Sequence, residues 1–191
     1  MEITKIAVEL EALSDIMFDR FVDYSEEKRP PDQKLYLGED NALVLPQENI
    51  YAFLFGENPM GCAKAFEGKQ GKTYIRIGQS HMFVDEPLIP FLDDGGKPIM
   101  FGGFDGKIWI HKGSPRVKKG SLSIKTETKE RPVLKMPWNL TFGLAVIKNN
   151  YIDENKLFNW FTLGGMQIAL GTYRPRWGRF SVKKWEAKEQ K

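Results

Sequence analysis

The residues best equipped for chemistry stand near the end of the chain: Gly171-Thr172-Tyr173-Arg174-Pro175-Arg176-Trp177-Gly178-Arg179-Phe180. These ten hold three arginines, three aromatics and two glycines. Arginine presents a permanently charged planar fork that matches phosphate, and its plane stacks on rings and bases. Aromatic faces accept nucleobases, and glycine lets a backbone come close to a ligand. Two chemistries fit the pattern. One is contact with a nucleic-acid strand; the other is an arginine–aromatic ladder that seals the edge of a sheet.

A second basic element lies upstream. Gly113-Ser114-Pro115-Arg116-Val117-Lys118-Lys119-Gly120 separates two strand-like segments, 107–112 and 121–128, and suits a projecting hairpin. The formal net charge of +3 hides a strong asymmetry. Residues 1–60 carry five Lys/Arg against thirteen Asp/Glu, whereas 107–135 carry nine against two and 172–191 seven against two. Such basic regions point to a polyanionic partner. The acidic part suits the basic part of a neighbouring copy, which makes a head-to-tail homo-oligomer a further expectation.

Candidates for catalysis are sparse. There are two histidines, His81 and His111, thirty residues apart and both in strand-like contexts. Glu9 with Glu11 and Asp93 with Asp94 read as solvated pairs, and Asp15, Asp19 and Arg20 as an ion pair or cap. Cys62 stands alone, so no intramolecular disulfide and no cysteine-based metal site is expected, and it reads as a small buried side chain. Gly68-Lys69-Gln70-Gly71-Lys72 lacks the Ser/Thr and strand-to-helix setting of a phosphate-binding P-loop. The expectation is a non-catalytic protein with no metal and no cofactor.

Strands must position these groups. Ile6, Val8, Leu10 and Ala12 alternate with Ala7, Glu9 and Glu11, and Trp138, Leu140, Phe142, Leu144 and Val146 alternate with Asn139, Thr141, Gly143 and Ala145. A short hairpin is expected over 34–45 and an exposed loop from Ser25 to Lys34. Helices are expected from Pro46 to Phe55 and from Met60 to Phe66. Short strands are expected at Thr73–Ile77 and Ser80–Val84. Asp153 caps a further helix that Gly164-Gly165 weakens and Gly171 closes, and a short last strand begins at Phe180 before a frayed Lys/Glu-rich end. This order gives an α+β, ferredoxin-like (βαββαβ, RRM-like) core with a mainly antiparallel sheet. At 191 residues it reads as a single domain, 1–191, with a basic hairpin insertion at about 107–131.

Three segments together resemble a known family. They are Ala12-Leu13-Ser14-Asp15-Ile16-Met17-Phe18-Asp19-Arg20-Phe21 after the opening strand, Leu43-Val44-Leu45-Pro46 entering a helix, and Ala169 to Phe180. This resembles small phage and prophage proteins related to the RAMP superfamily, the ferredoxin-like RNA-binding subunits of CRISPR effector complexes. The resemblance implies that Gly171 to Phe180 stands where that superfamily places its glycine-rich loop, and that the 112–120 hairpin stands for a projecting thumb. It holds fewer glycines than many members do.

The expected function is binding of single-stranded nucleic acid, RNA or DNA, with a strand-coating oligomer as one form. The expected contacts are Arg116, Lys118, Lys119, Tyr173, Arg174, Arg176, Trp177 and Arg179. The alternatives are a phage protein that imitates or inhibits a subunit of a CRISPR-type complex, and a metal-independent endoribonuclease using His111. No apolar run is long enough for a membrane span, and the expected location is the cytoplasm.

Overall fold

The structure, a computed structural model, describes residues 2–20, 29–113, 116–119, 123–126 and 128–190. The opening strand β1 (Ile3–Ala12) buries Ile6, Val8 and Leu10. The two-residue β2 (Ile16–Met17) follows, and a single 3-10 turn spans Pro31–Lys34. Of the loop expected from Ser25 to Lys34, residues 25–28 lie outside the described residues. A minimal hairpin pairs Leu37 with Leu43 and leads into β3 (Val44–Pro46). Pro46 then occupies the N-cap position of α1 (Gln47–Phe55), where its lack of an N–H costs no helical bond.

Two short helices, α2 (Cys62–Phe66) and α3 (Gly71–His81), lead to β4 (Met82–Val84) and β5 (Leu88–Leu92). The strand expected at Thr73–Ile77, and the start of that expected at Ser80–Val84, are helix instead. The buried positions of α3 are Gly71, Ile75 and Gly78, spaced as one helical face. Two of the three are glycines, so hydrophobic periodicity does not reveal them. Gly78 is small for a reason: a Cβ there would lie 2.1 Å from the Phe55 ring.

The hairpin comprises β6 (Ile108–Gly113), β7 (Arg116–Lys119), β8 (Ser123–Thr126) and β9 (Lys129–Leu134). Ile108 pairs with Leu134 and Arg116 with Thr126, so one register runs along both pairs. The partner of 107–112 is therefore 129–134 and not the expected 121–128. Ser114, Pro115 and Gly120, parts of the expected projecting tip, lie outside the described residues.

The last elements are β10 (Asn139–Ile147), α4 (Glu154–Gln167) and β11 (Phe180–Gln190). The Asp153 side chain caps α4 by accepting from Lys156 N at 2.8 Å. Gly164 and Gly165 lie inside this helix as packing positions. A Cβ at Gly164 would lie 2.5 Å from Cys62 Sγ, and one at Gly165 2.4 Å from the Phe180 carbonyl oxygen. The chain leaves α4 through Ala169 at φ 64, two residues before the Gly171 expected to close it. Far from fraying, β11 pairs with β1 out to Gln190 opposite Ile3. Its charged run is an edge strand facing water, with Trp185 turned onto Phe158 and Phe161 of α4.

The main sheet runs β11-β1-β10-β5-β3, with β4 also on β10, and these neighbouring strands pair antiparallel. Taking α1–α3 as one connection, the core strand order is fourth, first, third, second. That is the ferredoxin-like split βαβ arrangement of an α+β fold, as expected. One sheet face packs on the helices through Phe53, Phe161 and Phe180, whose ring centroids lie 5.3–6.4 Å apart. A small second sheet, β2-β9-β6, roots the hairpin beside the end of β1. No helix among the described residues is long and apolar enough to cross a membrane.

Candidate nucleic-acid interface

Backbone geometry fixes the arginine loop. Gly171, Tyr173 and Gly178 all adopt positive φ, 75°, 55° and 76°. At Gly178 a Cβ would lie 2.0 Å from the Leu170 carbonyl oxygen, so only glycine fits. The segment after β1 staples the loop in place. Thr172 N donates to Met17 O at 3.0 Å, Gly178 N to Asp15 O at 2.7 Å and Arg179 N to Ser14 Oγ at 2.9 Å. Leu13 N donates back to Arg179 O at 2.8 Å. The residues 12–21 that carry part of the family resemblance are thus the loop's anchor.

The loop's two leading aromatics then dock on one face of the hairpin root. Cross-strand pairing sets Trp109 opposite Val133 and His111 opposite Arg131. Trp177 lies 5.5 Å from His111 and 6.2 Å from Trp109, centroid to centroid. Tyr173 receives the Arg131 guanidinium 4.7 Å above its ring, and Arg131 Nη1 donates to its hydroxyl at 3.3 Å. Arg131 is only 7% exposed and its charge is met by Asp19, Nε donating to Oδ2 at 2.6 Å. Such cation–π and aromatic contacts each contribute about 0.5–2 kcal/mol. Sequence reading gave Tyr173 and Trp177 to bases; the structure engages one side of each with protein, while Tyr173 stays 41% exposed.

Ion pairing is uneven among the cations. Arg131, Lys5, Lys112, Lys148, Lys156, Lys183 and Lys184 each reach a carboxylate. Among the described residues, Arg174, Arg176 and Arg179 form no ion pair. Arg176 and Arg179 are exposed, with Arg179 Nε donating to Pro175 O at 2.9 Å. Arg174 turns inward and is partly buried. Of the hairpin residues expected to contribute, Arg116, Lys118 and Lys119 lie on β7, which pairs with β8 in a two-stranded sheet separate from that of the hairpin root.

Beside the docked rings, Ser14, Asp15, Met136, Arg176 and Trp177 line an open hollow of about 370 Å³. Met136, 52% exposed, was missed by sequence reading, as was Arg131. The pairings that bring both to the loop are long-range, and no local pattern marks them. Of the trio Asp15, Asp19 and Arg20 expected to form an ion pair or cap, both acids find partners elsewhere in the chain. Asp15 Oδ1 accepts from Met136 N at 3.0 Å, and Asp19 pairs with Arg131.

The open face of the main sheet has another character. Three of its cations are paired, Lys5 with Asp85 at 2.9 Å, Lys183 with Glu9 at 3.0 Å and Lys184 with Glu186 at 3.2 Å. On β1 and β10 it presents Ala7, Glu9, Glu11, Thr141 and Gly143 rather than the aromatic platform of an RNA-stacking sheet. The loop exposes Arg176 and Arg179, which form no ion pair among the described residues.

No group of three or more His, Cys, Asp or Glu side chains that could hold a metal ion occurs among the described residues. His111 lies edge-on to Trp109 at 5.8 Å and against Trp177. Burial raises the Cys62 thiol far above its ordinary value, so it stays neutral.

No family model matches the chain, and no curated protein matches it in sequence. Among solved structures, a chain in the cryo-EM structure of the Type III-B Cmr-beta bound to cognate target RNA is similar to it, with a TM-score of 0.53 at 12% identity. The match covers 97% of this chain and 61% of that one, so this chain spans under two thirds of its neighbour's length. The likeness is one of fold.

Proposed function

We propose that the chain binds single-stranded nucleic acid, RNA foremost, without cleaving it. The strand runs over the joint between the arginine loop and the hairpin root. The observation that carries this reading is that Arg176 and Arg179 stand exposed on a loop stapled to the segment after β1 and form no ion pair among the described residues, with Arg176 lining the hollow at Trp177. A ladder built to seal a sheet edge would bury its arginines, whereas Arg176 and Arg179 are exposed. Arg176 and Arg179 meet phosphates, the exposed part of Tyr173 and the hollow beside Trp177 and Met136 receive bases, and the basic β7 extends the track. A fold shared with a chain from an RNA-bound complex, and the resemblance to RAMP-like phage proteins, support RNA over DNA. His111 serves in the ring stack, which favours binding over catalysis. The test is a mobility shift with matched single-stranded RNA, single-stranded DNA and duplex. Retarded single strands with intact duplex mobility support the reading, and equal retardation of all three contradicts it.

A second reading has its own observation. The exposed face of α4, Asn155, Phe158, Asn159, Thr162, Leu163 and Met166, carries no charge in a chain that is 28% charged. That face suits a protein partner, as in a subunit or mimic of a CRISPR-type complex. Capture of such a complex from nuclease-treated lysate, lost in Leu163→Glu, would favour it.

A further inference from the structure

Between the arginine loop and α1 lies a cavity of about 240 Å³, walled by Phe18, Asp19, Asn49, Pro59, Thr172 and Arg174 among others. Its cation has no counter-charge. Arg174 makes one long contact, Nη1 donating to Ala169 O at 3.5 Å, and no carboxylate among the described residues pairs with it. The acid in the wall, Asp19, is committed to Arg131 at 2.6 Å. Cys62 nearby is a neutral thiol and offers no charge. Burial pushes the Arg174 pKa down from arginine's ordinary value, yet arginine titrates so far above neutrality that the group remains a cation.

A partly desolvated cation facing a cavity is costly unless an anion enters it. Thr172 and Asn49 line the same cavity, and both are residue types whose side chains can donate a hydrogen bond. The volume falls below the range that holds drug-sized ligands, so the guest is compact. We propose that this cavity is a binding site for one phosphoryl group, with Arg174 as its cation and Thr172 and Asn49 as flanking donors. It goes beyond strand contact by Arg176 and Arg179, since a free phosphate suffices to fill it. Free phosphate and the phosphate at a strand end share this chemistry.

The test is thermal unfolding of the full chain in sodium phosphate against sodium chloride of equal ionic strength. At about ten times the dissociation constant the melting temperature rises by about 3 °C. The rise is retained when Arg176 and Arg179 are both changed to Ala, and is lost in Arg174→Gln. Asn49→Ala is measured beside it and decides alone if Arg174→Gln does not fold; there the rise falls by half or more. No rise in the unaltered chain, or an undiminished rise in these variants, overturns the proposal. Strands with a 5′-phosphate or a 5′-hydroxyl separate the sources. A preference of about tenfold for the phosphate end, lost in Arg174→Gln, assigns a strand terminus. Equal affinities with the thermal shift intact assign the free anion. Because the shift needs no strand, it can fail or succeed independently of strand binding.

Discussion

Trp177 lies against His111 with ring centroids 5.5 Å apart, which joins the loop after α4 to the root of the basic hairpin. The two basic elements, far apart in sequence, thereby share one surface. Arg131 fastens the same joint from the other strand by holding Asp19 and Tyr173 together.

Trp177→Ala removes the stack on His111 and Trp109. The residue is half-buried, so the cost is about 2 kcal/mol, toward the lower end for a large aromatic. Urea denaturation measures it, and Trp177→Phe recovers most of the loss. Unchanged stability in Trp177→Ala would show that the joint does not depend on this ring.

Arg131→Ala leaves Asp19 without its partner in a poorly solvated place and lowers stability by about 3 kcal/mol. Tyr173→Phe keeps the ring beneath the guanidinium and loses only the 3.3 Å hydroxyl bond, at a cost of about 1 kcal/mol or less. The ratio of the two losses, read from urea midpoints, distinguishes an ion-paired anchor from a simple hydrogen bond.

Gly178→Ala forces a side chain onto a positive φ, 2.0 Å from the Leu170 carbonyl oxygen. The expected loss is about 3 kcal/mol or more, with weaker strand binding as the loop shifts. Gly102→Ala, where a Cβ meets nothing within 4 Å, is the control and changes stability by about 0.5 kcal/mol at most.

Cys62 is fully buried and stays protonated, so a thiol reagent reacts with it only after unfolding. Its labelling rate across urea concentrations follows the unfolding transition. Fast labelling of the native chain would contradict the packing of α2 on α4.

Much of this was legible from residue pattern. Alternation marks β1 and β10 because each buries one face, and Asp153 marks the start of α4 because an N-cap is a local bond. Helix α3 was hidden because its buried face is Gly71, Ile75 and Gly78, where close approach of Gly71 to the Ala63 backbone and of Gly78 to Phe55 replaces apolar bulk. The charged run in β11 concealed a strand because an edge exposes one side to water. At the interface, residue types alone pick out Arg174, Arg176 and Arg179. Their different fates, two outward and one inward, depend on where Asp15, Met17 and Ser14 tie the loop. The partners Trp109, His111 and Arg131 come from a pairing register across the hairpin, which no local spacing encodes.

The central claim is that the loop's unpaired arginines bind strand phosphates, and the salt dependence of single-strand affinity tests it most directly. Fluorescence anisotropy with single-stranded RNA is followed from low to high salt for the unaltered chain and for the double variant Arg176→Ala, Arg179→Ala. Loss of two phosphate contacts shallows the slope of log affinity against log salt by about 1.4 and weakens binding most at low salt. An unchanged slope and affinity in the double variant would contradict the account.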